Sequence, residues 1–140
     1  MFVQGKSMSL IGKQVHPLHW VAAADYARMV SKSYQSEAAL NKELTIFGPE
    51  AFTMGAAMKT YVGIVAPGVK VAPISTSALS LLGMLSFNIE WKSMALLMKH
   101  YENWGEDGSP EEANRLLGAP QTTLKAWCQG AARLTAGLRR

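Results

Sequence analysis

The sequence predicts an all-α protein, a helical bundle whose last part is a three-helix unit. Apolar residues recur at helical spacing along much of the 140 residues, and 49% of the chain is hydrophobic, enough to build a core. Strand signals are weak, because the best run of β-branched residues is the short "YVGIV" at 61–65. Together these observations predict helices that pack on helices.

The first half of the chain is expected to hold three helices. The segment "PLHWVAAADYARMVSKSY" predicts the first. Its apolar stripe consists of Trp20, Ala23, Ala24, Ala27, Val30 and Tyr34. A short second helix should begin near Ser36. The third follows Gly48, because Pro49 suits a first helical turn, and it ends by Pro67.

The second half begins with an expected loop, "APGVKVAPIST", and continues as a long apolar segment from Ser77 to about Trp104. One long helix or two helices joined near Asn88 both fit its spacing. The polar stretch at 105–110 is the one obvious boundary. We therefore expect a helical body at 1–104 and a C-terminal segment at 105–140, whose first supporting helix starts near 91.

Charge is scarce between Glu50 and Ile89, where the only other charged residues are Lys59 and Lys70. Such a region is hard to cover in a small monomer, so we expect a homo-oligomer that associates through 50–89; a plain buried core is the alternative. The uncharged stretch 71–89 approaches the length of a membrane span. Its Pro73 and polar residues favour a buried helix, so a membrane partner is not expected.

One cysteine, Cys128, excludes an internal disulfide and favours a cytoplasmic protein. The sequence offers no metal-ligand cluster, no phosphate-binding glycine loop and no catalytic group, so no cofactor is expected and an enzyme is the least favoured class. The histidines of "HPLH" at 16–19 are too few for a metal site, and the acids around 102–112 suit a solvated turn.

The C-terminal stretch "SPEEANRLLGAPQTTLKAWCQG" predicts two short helices around a glycine turn. Ser109, Pro110 and Glu112 have the spacing of a capping box, and Gly118 ends the first helix. The second helix should begin at Pro120. Its predicted apolar stripe comprises Leu124, Trp127, Cys128, Ala131, Leu134, Thr135 and Leu138. The opposite face is free of carboxylates.

All the excess positive charge lies in this last helix. Residues 1–120 carry ten basic and ten acidic residues, whereas 121–140 carry four basic residues and no acid, which leaves the net charge of +4. Local basic charge is typical of a polyanion partner. A cation preference at the end of a helix would account for part of it.

The segment "EEANRLLGAPQTTLKAW" resembles the helix-turn-helix of homeodomain-like and MerR/excisionase-like DNA-binding proteins. The resemblance covers about 22 residues and rests on Ala113, Gly118, Leu124 and Trp127. It implies a recognition helix that contacts DNA in the major groove. It implies that Gln121, Thr122 and Lys125 face bases and that Gln129 and Arg133 contact the backbone. Arg140, on the same cationic face of the helix, completes the predicted nucleic-acid-binding residues. Double-stranded DNA is favoured over RNA, as for a regulator or a packaging or recombination accessory.

Two other functions remain open at this point. A self-assembling viral coat, capsid or nucleocapsid subunit would combine the charge-poor centre with a basic C-terminus that neutralises nucleic acid without reading its sequence. An adaptor would instead bind a partner helix in an apolar groove. The size of the oligomer separates a regulator from a coat subunit.

Overall fold

Both strands and helices occur along the chain in the computed structural model, which describes residues 3–4 and 6–137. The strands are β1 (Val3–Gln4), β2 (Ser7–Ile11), β3 (Leu18–His19), β4 (Ala51–Phe52) and β5 (Lys70–Ile74). The helices are α1 (Ala23–Ser33), α2 (Met54–Val65), α3 (Thr76–Leu85), α4 (Ile89–Asn103), α5 (Glu111–Leu117) and α6 (Leu124–Gly137). A 3-10 turn covers Glu37–Ala39, and β3 and β4 pair as a two-stranded sheet.

The described residues group into two units that interleave along the chain. Unit 1 comprises the residues up to Leu18 and those from Phe52 to Glu106. Unit 2 comprises His19–Ala51 and the residues from Asp107 onward. Unit 2 is therefore made of two stretches of chain that are separated in the sequence by the segment 52–106 of unit 1.

Unit 1 is built on a three-stranded sheet in the order β1-β2-β5. Strand β2 pairs antiparallel with β1 and parallel with β5, in a register that runs from Ser7 opposite Lys70 to Ile11 opposite Ile74. Met8 of β2 is fully buried, and α2 packs near β5. The helices α3 and α4 pack against each other, and Ser75 and Asn88 accept hydrogen bonds from the first backbone N–H groups of these two helices.

Unit 2 has a small apolar core between α1 and α5. Met29, Ala113 and Leu117 are buried in it. Partly buried residues complete the core, namely Ala39, Leu44, Ile46 and Leu116. Gly118 ends α5 with a φ of 79° and donates its N–H to the carbonyl of Asn114. The predicted helix stop at Gly118 is confirmed.

The all-α prediction is wrong, because β2 and β5 form a parallel pair in a mixed sheet. The run "YVGIV" at 61–65 lies in α2 rather than in a strand. The segment that contains Pro73 is expected to be a loop, but it forms β5. Proline is tolerated there because β5 is an edge strand of its sheet. The expected C-terminal three-helix unit is also corrected, since α4 belongs to unit 1 whereas α5 and α6 belong to unit 2.

Several helix predictions differ in detail from the structure. Two helices that meet at Asn88 are confirmed over one long helix. The buried face of α1 carries Asp25 and Met29 rather than the predicted alanine stripe. The predicted capping box of α5 does not form, because Glu112 pairs with Lys42 instead. Helix α6 begins at Leu124, four residues after the predicted start.

Among the residues that the structure describes, no helix combines the length and apolar character that crossing a membrane would require.

Candidate functional site

The residues predicted to bind nucleic acid fall into two groups. Lys125, Gln129 and Arg133 are exposed on α6. Gln121 and Thr122 precede α6, in a connection of six residues (118–123) between α5 and α6. The turn of a helix-turn-helix has three or four residues, so this connection is longer than the motif requires. Arg140 lies outside the described residues. The helix-turn-helix interpretation stays a prediction.

The connection that precedes α6 is held by a buried carboxylate of α1. Asp25 Oδ2 accepts the backbone N–H groups of Gln121 at 2.9 Å and Thr122 at 2.7 Å. Its Oδ1 accepts a hydrogen bond from the Arg28 guanidinium at 2.7 Å. Hydrogen bonds from Thr122 are the main cause that lowers the pKa of Asp25 to about 2; burial opposes them. Gln121 and Thr122 therefore have a structural partner within unit 2.

The apolar stripe predicted for α6 is only partly buried. Cys128 is fully buried, and desolvation raises the pKa of its thiol. Trp127, expected on the buried stripe, is 46% exposed, and Leu134 is 72% exposed. Leu138 lies outside the described residues. The buried face of α6 is therefore narrower than the predicted apolar stripe, which included Trp127 and Leu134.

A crevice opens in unit 1 where the parallel strands β2 and β5 end. It has a volume of about 520 Å³ and contains Glu102. The carboxylate of Glu102 accepts the backbone N–H of Lys13 at 2.6 Å and the hydroxyl of Thr76 at 3.4 Å. Gly12 allows this approach, because a Cβ there would lie 2.5 Å from Glu102 Oε1. The carboxyl ends of parallel strands are where open α/β sheets bind ligands.

Gln14 fixes the strand end beside this crevice. Its side chain is buried, and its amide donates to the carbonyl of Ile11 at 3.2 Å and to that of Met98 at 2.8 Å. The end of β2 is therefore tied directly to α4, which carries Glu102.

A groove of about 450 Å³ lies between α3 and α4. Its lining residues recur at helical spacing on each helix, at 76, 77, 80, 81 and 84 on α3 and at 92, 95, 96 and 99 on α4. Leu81, Met84, Ala95 and Leu96 make it apolar; hydroxyl groups and two lysines add polar contacts. Thr76 lines both the groove and the crevice, so the two spaces adjoin.

Sequence reasoning missed these two spaces. The sequence assigns Glu102 to the acids of a solvated turn, and nothing local marks its approach to Lys13, 89 positions earlier. The groove left a usable signal: Lys92, Ala95, Leu96 and Lys99 share one face of α4 at helical spacing. Among the described residues, no group of three or more His, Cys, Asp or Glu could hold a metal ion.

No family model matches the sequence, and neither does any curated protein. Two solved structures of the Citrobacter sp. triphenylmethane reductase are similar. One, from work on the bioremediation of triphenylmethane dyes, has a TM-score of 0.65 at 12% identity and covers 89% of this chain and 44% of its own. The other, complexed with NADP(H), has a TM-score of 0.65 at 13% identity. The match covers 88% of this chain and 44% of the reductase chain.

The chain thus spans less than half the length of the reductase chains that it matches. At this identity the likeness concerns the fold alone. It agrees with the parallel strand pair and with the presence of both strands and helices, and it overturns the all-α prediction a second time. The fold is α/β.

Proposed function

We propose that this chain is a binding module for an apolar organic ligand, of the kind that a reductase-like protein would act on. The groove between α3 and α4 carries the proposal. Its volume lies in the range of small-molecule sites, which are mostly apolar with a few polar groups. The similar reductase acts on triphenylmethane dyes, which is consistent with an aromatic ligand.

The Glu102 side of the adjoining crevice is unfavourable for the NADP(H) that the second reductase structure contains, although Lys13 and the first residue of α3 also line the crevice. The Glu102 carboxylate lies against Gly12 at the strand ends, where its negative charge would repel a pyrophosphate. The chain after β2 turns through 12–14 without forming a helix whose N-terminus could bind phosphate. The proposal therefore concerns the organic ligand alone.

Phenylnaphthylamine, a neutral aromatic probe that fluoresces in apolar surroundings, tests the groove. We expect a saturable rise in fluorescence with the wild-type protein. Leu96→Asp should weaken binding about tenfold, or about 1.4 kcal/mol, because it places a charge on the apolar wall.

Leu134→Asp is the matched control, since Leu96 and Leu134 are both helical and both 72% exposed. This variant should bind the probe as the wild type does. Absence of saturable binding by the wild type would contradict the proposal, as would equal losses in both variants.

Nucleic-acid binding is the second candidate function. It is favoured by one observation: Lys125, Gln129 and Arg133 are exposed on a helix within a segment, 113–140, that contains no acidic residue. Such a face suits phosphate contacts. Double-stranded DNA remains the expected partner, in a cytoplasmic protein.

Fluorescence anisotropy with a random DNA duplex across a salt series tests this candidate. We expect affinity that falls as salt rises, and Lys125→Glu with Arg133→Glu should abolish binding. Lys59→Glu with Lys70→Glu is a control that removes the same charge from unit 1. No binding at low salt, or an equal effect of both pairs, would contradict the candidate.

A further inference from the structure

The groove between α3 and α4 is positively charged. Lys92 and Lys99 line it, and its lining residues include no carboxylate. Within the part of the chain that the structure describes, neither ammonium forms an ion pair. An apolar groove with two unpaired cations favours a ligand that carries negative charge on an apolar body.

The two lysines stand at opposite ends of the groove. They are seven residues apart on α4, which places their backbones roughly 10 Å apart along the helix axis. Ala95 and Leu96 lie between them. A lysine stem can cover apolar surface while its ammonium reaches a polar group, so each end can hold an acid while the middle holds an aromatic or aliphatic body.

The two ends differ in their surroundings. Lys99 lies at the end that contains Thr76, where the hydroxyl of Thr76 donates to the carboxylate of Glu102. Lys92 lies at the other end, close to Gly83. A Cβ atom added to Gly83 would lie 2.9 Å from the backbone nitrogen of Lys92. The negative charge of Glu102 opposes an anion near Lys99. An acid group of the ligand therefore meets less electrostatic repulsion at Lys92 than at Lys99.

We infer that this groove takes an apolar or aromatic acid, a carboxylate or sulfonate, whose charged group binds at Lys92. This inference rests on the proposed function and names the substrate class of the same site. The apolar body of such a ligand would lie along Leu81, Met84 and Leu96.

A pair of probes tests the inference. Anilinonaphthalene sulfonate carries an acid group on nearly the same aromatic body as phenylnaphthylamine, which is neutral. We expect the wild type to bind the sulfonate more tightly, and rising salt to weaken the sulfonate but not the neutral probe. Lys92→Glu should weaken the sulfonate about tenfold and leave the neutral probe unchanged; Lys99→Glu should have a smaller effect.

Lys59→Glu is the matched control, because Lys59 is an exposed lysine of α2. This substitution should change the affinity for neither probe. If neither probe binds the wild type, the proposed function fails. If both bind with equal affinity, or if Lys92→Glu weakens them equally, only the preference for an acid is overturned. Circular dichroism of each variant shows that the fold is retained.

Discussion

Asp25 connects two parts of unit 2 that are far apart in sequence. The residue is 3% exposed, and its carboxylate accepts hydrogen bonds from residues 96 and 97 positions later. A carboxylate accounts for the arrangement, because it accepts two backbone N–H groups and a guanidinium at once. The sequence does not reveal this, since an aspartate in a helix ordinarily marks the solvent face.

Asp25→Asn should destabilise the protein by about 2–3 kcal/mol, because it removes the charge and part of the acceptor capacity from a buried site. Urea unfolding followed by circular dichroism measures the loss. Asp107→Asn, the same change at an exposed position, should cost little. Equal stability of the wild type and Asp25→Asn would show that the carboxylate does not hold the connection that precedes α6.

The same carboxylate predicts a pH dependence. Folding lowers the pKa of Asp25 from its ordinary value of 3.8 to about 2. Its contribution to the free energy of unfolding is therefore complete well above pH 3.8 and is lost as the pH falls towards about 2. In unfolding experiments across this window, the wild type should lose more stability than Asp25→Asn. Parallel pH profiles would contradict this assignment.

At the scale of elements, α3 ends in a Schellman motif. The N–H of Asn88 donates to the carbonyl of Gly83 at 3.0 Å, and that of Phe87 donates to Met84 at 3.4 Å. Phe87 occupies the position that glycine usually takes, with a φ of 53°, and its side chain is 96% exposed. A non-glycine residue in this conformation is strained.

Phe87→Gly should therefore stabilise unit 1 by about 0.5–1 kcal/mol, because it relieves strain and removes no buried contact. Thermal unfolding gives the change. Phe87→Ala is the control: it removes the ring but keeps the Cβ, so it should bring no such gain. A loss of stability in Phe87→Gly would mean that the ring is packed.

The elements differ in how far they could be predicted. Local signals located α3, α4 and α5 to within a few residues, namely the apolar spacing from Ser77, the break near Asn88 and the stop at Gly118. The strands were not predicted, although "SMSLI" of β2 alternates polar and apolar residues and buries Met8. Strand pairing depends on a partner more than sixty residues away, so periodicity in one short segment carries little of it. The groove and the crevice depend on such pairings.

At the scale of the whole molecule, the predicted self-association through 50–89 remains a prediction with a defined surface. Leu82 and Leu85 are exposed on α3, within that region. Contiguous exposed apolar groups mark interaction sites.

We expect an oligomer by light scattering after gel filtration, and Leu85→Glu should shift it towards the monomer. Leu40→Glu, at an exposed leucine of unit 2, is the control. A wild-type chain that stays monomeric at every concentration would contradict the prediction. An open-ended series of larger assemblies would favour the coat-protein alternative.

The interleaving of the two units has a consequence for synthesis. Met29 leaves the ribosome long before Ala113 and Leu117, the residues that bury it, and Asp25 waits even longer for residues 121 and 122. Unit 2 can therefore close only after residue 122 has been translated. Until then a nascent chain exposes an apolar helix face to chaperones and proteases, so a premature stop in α5 would release an open half-core.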